Sequence, residues 1–96
     1  MDAIDKINQF RNERGWHHNS QEKDLAISIS LEANELLELF QWLENDQAIE
    51  QRERLEEELA DVLIYSYTLA DKLGFDINEI IDKKLIKNAK KYPVNK

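Results

Sequence analysis

Two pairs of acids, Glu32 with Glu35 and Glu58 with Asp61, are each spaced three residues apart in stretches free of proline and glycine. Three residues along an α-helix turn about 300° and rise roughly 4.5 Å, so each pair presents both carboxylates from nearly one face. The two pairs also share a register. In antiparallel helices joined by a turn, residues at equal height keep a constant sum of their numbers, and 32 with 61 matches 35 with 58 about a midpoint between Asp46 and Gln47. The polar stretch Asn45-Asp46-Gln47 is the expected turn. All four acids should then meet, an arrangement that is costly unless a divalent cation neutralises it. Oxygen donors in a chain without cysteine select a hard ion, and Mg²⁺ or Mn²⁺ suits them better than zinc.

Glutamates on a helix ordinarily mark a solvated face, and that reading fits Glu50, Glu53, Glu56 and Glu57. It fits the quartet less well. Glu32 shares its stripe with Ile29, Leu36 and Leu39, and Glu58 shares one with Leu55 and Val62; an ionised carboxylate on an apolar stripe needs a cation. A di-iron bundle also draws carboxylates from facing helices, but it needs Glu-x-x-His motifs. The only histidines, His17 and His18, fall in a loop and read as surface residues, which leaves a redox-silent ion suited to phosphate chemistry.

Lys84, Asn88 and Tyr92 recur every four residues along one side of the last helix. A point charge, an amide and a phenol in a row could hold phosphate, sugar and base in turn, although an exposed polar stripe is the simpler account of that spacing. Trp16, Trp42 and Tyr65 offer stacking surfaces for a base. Aromatics at helical positions belong to a core more often, so Trp16, placed in a loop, is the better of the three.

The elements that position these residues are helical. Ile4, Ile7 and Phe10 give residues 2 to about 14 an amphipathic period that Gly15 should end. After the loop Trp16-His17-His18-Asn19-Ser20, with Asn19 or Ser20 as a cap, a second helix is expected from Gln21 to about Glu44. Its apolar residues surround most of the circumference, which suggests that a second copy of the chain covers part of it. A third helix should run from about Ala48 or Glu50 to Leu73, with Leu55, Leu59, Val62, Leu63, Ser66, Leu69 and Leu73 inward. Gly74 offers a left-handed end, Asp76 with Glu79 resembles a capping box, and Pro93 stops a fourth helix. The expected fold is all-α: one domain over residues 1–96, a four-helix bundle assembled into a homo-oligomer.

Composition narrows the function classes. With 34 % charged residues, two glycines and one proline, the chain is short of turn material for a β-sandwich. No apolar run is long enough for a bilayer span, and the acidic N-terminus lacks the apolar core of a signal peptide. The absence of cysteine fits a cytoplasmic protein. A net charge of −7 argues against binding the backbone of a nucleic-acid polymer. That average hides an asymmetry, because Lys83, Lys84, Lys87, Lys90, Lys91 and Lys96 crowd the last fourteen residues without an acid among them. They could hold a polyphosphate, or simply complement the dipole of the last helix.

The run Glu32-Ala33-Asn34-Glu35-Leu36-Leu37-Glu38-Leu39-Phe40-Gln41-Trp42, then Glu57-Glu58-Leu59-Ala60-Asp61-Val62-Leu63-Ile64-Tyr65, then Asn88-Ala89-Lys90-Lys91-Tyr92-Pro93, resembles the MazG-like nucleotide pyrophosphohydrolases over about residues 3 to 94, and most of all their dCTP pyrophosphatase branch. The resemblance implies a Mg²⁺-dependent, all-α dimer or tetramer that converts a (deoxy)nucleoside triphosphate to its monophosphate and pyrophosphate, with help at each site from a neighbouring subunit. Carried over by position, it implies metal carboxylates at Glu32, Glu35, Glu58 and Asp61, and nucleotide contacts at Trp16, Trp42, Tyr65, Lys84, Asn88 and Tyr92. Glu35 or Glu38 would orient the attacking water. Where the branch often has W-x-x-F-H, this chain has Trp16-His17-His18-Asn19-Ser20, with Asn19 and Ser20 in the last two places. That departure bears on base preference and leaves the acids untouched. The alternative is a non-catalytic helical oligomerisation or interaction module whose acids are solvated.

Overall fold

Two glycines end two of the helices by the same device. In the computed structural model, which describes residues 2–16 and 21–94, Gly15 and Gly74 adopt φ of +67° and +75°. At each, the N–H of the glycine and that of the next residue turn back to helix carbonyls: Gly15 to Asn12 and Trp16 to Arg11, Gly74 to Asp71 and Phe75 to Ala70. These are Schellman ends, and an L side chain at either glycine would be strained.

The described residues form four long helices and one single turn: α1 (Ala3–Glu13), α2 (Glu22–Gln41), α3 (Asn45–Ala48), α4 (Arg52–Lys72) and α5 (Ile77–Lys91). Asp2 and Asp76 cap α1 and α5 by accepting from the Asp5 and Glu79 N–H groups. Asn19 and Ser20, the expected caps of α2, lie outside the described residues, as do His17 and His18. Gln21 is the cap residue instead, its N–H donating to the Asp24 carboxylate.

Three expectations need correcting. The second helix stops at Gln41 rather than near Glu44, because Glu44 caps α3 with its N–H bonded to Gln47 Oε1. The stretch expected as a plain turn is therefore a helical turn, and it seats Ala48, which is fully buried. Finally, the single chain is not a closed four-helix bundle. The antiparallel pair α2 and α4 forms the body and α1 lies along α4, but α5 buries none of its side chains.

The core is correspondingly thin. Among the described residues Leu25, Leu39, Ala48 and Ala70 are the buried apolar ones, whereas Leu59, Leu63 and Leu73 on the expected inner face of α4 stay about half exposed. A compact chain of this length would have a radius of gyration of about 12.5 Å; the observed 16.4 Å reflects the open arrangement. No helix among the described residues is long and apolar enough to cross a membrane.

Candidate active site

The α2–α4 hairpin is held in register at its closed end by one amide. Gln51 donates from Nε2 to the carbonyls of Leu39 (2.9 Å) and Ala48 (3.2 Å), tying the start of α4 to the end of α2 and to α3. Two to three turns further along, the facing acids come together. Glu32, Glu58 and Asp61 each offer a carboxylate oxygen, and these oxygens lie within 4.8 Å of one another. Glu35 is not one of the converging three: it is more exposed, but its carboxyl lies near enough to raise the pKa of both Glu32 and Glu58.

The electrostatics follow from that crowding. Burial raises the Glu32 pKa to about 7, helped by hydrogen bonding of the protonated Glu32 to Glu35 and by the charges of Glu35, Asp61 and Glu58. Glu58 is raised for the same reasons, burial first, with Glu57 contributing as well. Two buried oxygens, Glu32 Oε2 and Glu58 Oε2, have no hydrogen-bond partner. Buried polar atoms are ordinarily satisfied. Converging hard donors with orphaned lone pairs fit a divalent cation, which neutralises the charge and fills the missing coordination at once.

Two cavities flank the acids. One, of 430 Å³ and mainly apolar, lies between α1 and α4 and is lined by Phe10, Arg11, Trp16, Ile64, Tyr65 and Asp61 among others. Its outer wall is fixed locally. Trp16 follows Gly15 in the Schellman end of α1 and packs edge-on against Phe10 at 5.7 Å, while the Arg14 guanidinium covers the Phe10 ring at 3.6 Å. Buried Arg11 donates from Nη2 to the Trp16 carbonyl. The second cavity, 420 Å³ and more polar, is bounded by Glu35, Glu38, Trp42, Gln51, Arg54 and Glu58. Here Glu38 accepts from Asn34 Nδ2 at 3.4 Å.

The residues singled out in the sequence thus fall into groups. Trp16 and Tyr65 share a cavity with Asp61, and Trp42, almost wholly exposed, stands at the rim of the other with Glu35, Glu38 and Glu58. Lys84 and Asn88 lie on α5 and Tyr92 at its end, and none of the three lines either cavity. Phe10, Arg11, Arg54 and Ile64 line these cavities without having stood out in the sequence. Arg54 carried a signal in its spacing, four residues before Glu58 on the same side of α4.

Residues 27–96 match the MazG-like family. The chain belongs to that family. It is also similar to dCTP pyrophosphatase 1 of Bos taurus (38 % identical) and of Homo sapiens (37 %), each in an alignment 93 residues long that covers 91 % of this chain and 55 % of the relative. It therefore spans about half the length of the curated relatives it matches. Among solved structures, a pyrophosphatase from Archaeoglobus fulgidus is 43 % identical and superposes with a TM-score of 0.87 over 95 % of this chain and 89 % of that one. This MazG-like chain and its structural neighbour share the fold over nearly their whole lengths.

Proposed function

We propose that this MazG-like chain is a nucleoside triphosphate pyrophosphohydrolase, cleaving the α–β phosphoanhydride of a (deoxy)nucleoside triphosphate with water to give the monophosphate and pyrophosphate. The observation that carries the reading is the convergence of Glu32, Glu58 and Asp61 within 4.8 Å with two buried carboxylate oxygens unpartnered. The names of its relatives support the same chemistry.

Glu32, Glu35, Glu58 and Asp61 would hold Mg²⁺, with Mn²⁺ as a substitute. When bound, the cation offsets charge on the phosphoryl oxygens and acts as a Lewis acid, terms that dominate catalysis of this class. The protein's own groups supply the rest. Glu35 or Glu38, both facing the polar cavity, orients the attacking water and accepts its proton at a carboxylate oxygen. Trp16 and Tyr65 give the base and sugar an apolar seat beside Asp61, and Trp42 closes the opposite rim. Lys84, Asn88 and Tyr92 reach a site only if it belongs to another copy. The exposed apolar residues of α5 support that arrangement, since a homodimer or homotetramer would bury Ile81, Leu85 and Ile86 while delivering the three polar residues. The substrate is dCTP or a related or modified nucleotide, which suits cleaning of the cytoplasmic nucleotide pool.

A screen of common and damaged nucleotides tests the reading. At least one triphosphate should yield its monophosphate and pyrophosphate in a Mg²⁺-dependent manner. Failure with every nucleotide, together with a melting temperature indifferent to Mg²⁺, would instead identify a helical interaction module.

A further inference from the structure

We infer that Arg54 is a substrate-binding residue that receives the β- and γ-phosphates of the triphosphate, and so fixes which way the nucleotide lies across the acids. This rests on the pyrophosphohydrolase reading and adds a direction to it. Arg54, Glu58, Asp61 and Tyr65 follow one another on α4 at intervals of four, three and four residues, which places them within about 60° of one another around the helix axis. One face of a single helix therefore presents, in order, a cation, two acids and an aromatic ring.

The cavities agree with that order. The one reached by Asp61 and Tyr65 is mainly apolar and walled by Trp16, as a base requires. The one reached by Glu58 is more polar and is lined by Arg54. Arg54 is oriented yet unneutralised. Its Nη1 donates to Gln51 Oε1 at 3.3 Å, and Gln51 is itself fixed by two backbone carbonyls. The cavity also carries Glu35, Glu38 and Glu58, but among the described residues the one close ion pair is Arg14 with Glu13, elsewhere. An arginine held by a neutral amide keeps its remaining N–H groups for an oxyanion, and its planar fork matches phosphate. With the α-phosphorus at the acids and the base towards Tyr65, the departing pyrophosphate faces Arg54, which offsets the negative charge it gains when the α–β bond breaks.

The test compares wild type with Arg54→Gln and Arg54→Lys, using dCTP, its non-hydrolysable α,β-methylene analogue, and dCMP, all with Mg²⁺. Charge-assisted contacts of this kind are worth about a ten- to hundredfold change in binding. The glutamine variant should bind the methylene analogue weaker by that factor, the lysine variant should recover part of the loss, and the inhibition constant of dCMP, which lacks the outer phosphates, should stay within about twofold. Unchanged affinity for the analogue in Arg54→Gln would overturn the inference. So would parallel loss of analogue and dCMP, the mark of a damaged site rather than a lost phosphate contact. Absence of pyrophosphate release by the wild type would count against the hydrolase reading alone, because binding of the analogue still reports on Arg54.

Discussion

Replacing Glu58 with alanine is expected to lower pyrophosphate release by on the order of a thousandfold, because it removes one of three converging donors and with it the charge stabilisation at the reacting phosphoryl group. The same substitution should raise the melting temperature of the metal-free protein. Glu58 Oε2 is buried without a partner, and its carboxylate repels Glu35, Glu32 and Asp61. A group that costs stability while supporting turnover is the signature of a functional site. Steady-state kinetics and a thermal melt on one preparation read both effects. Full activity in the variant, or a marked loss of apo stability, would contradict the assignment.

The second large effect is a change in how stability depends on pH when metal is added. The folded-state pKa of Glu32 lies near 7 against an ordinary value of 4.5, so between those limits the folded protein holds a proton that the unfolded chain has released. Stability of the metal-free protein should therefore be greatest below about pH 4.5 with respect to this group, and fall as pH rises towards 7. Glu58 acts in the same direction. Mg²⁺ takes the place of the proton. At a hundredfold excess over its dissociation constant it should contribute about 2.7 kcal/mol, a shift on the order of 10 °C for a domain of this size. Melting curves between pH 5 and 8, with EDTA or with Mg²⁺, should diverge as pH rises, and Glu32→Gln should flatten the metal-free curve. Parallel curves for wild type with and without metal would count against a cation site.

Much of this geometry is legible in the sequence because it depends on local rules. Helix ends at Gly15 and Gly74 and the Asp76 cap follow from backbone preferences that neighbouring elements rarely override. Facing of Glu32 with Asp61 and of Glu35 with Glu58 follows from the constant sum of paired residues in an antiparallel hairpin. That Glu35 stays outside the converging three depends on side-chain reach, which spacing does not encode.

Other features escaped for equally physical reasons. Arg11 and Arg54 look in sequence like any solvated cation; only the fold reveals that one is buried beneath the Trp16 carbonyl and the other faces a cavity. The stripe Leu59, Leu63 and Leu73 has the periodicity of a core face, yet periodicity does not say whose surface covers it. The same holds for α5, whose apolar positions predicted a bundle helix and none of whose residues is buried.

Binding of a hard divalent cation by the crowded carboxylates is the property on which the proposed chemistry depends. Calorimetric titration of Mn²⁺ at pH 7.5 into wild type and into a Glu32→Gln, Glu58→Gln double variant addresses that directly. Saturable binding in the wild type, lost in the double variant while the helical circular dichroism spectrum is retained, is the predicted result. Absence of binding in the wild type, or equal binding by both proteins, would contradict it.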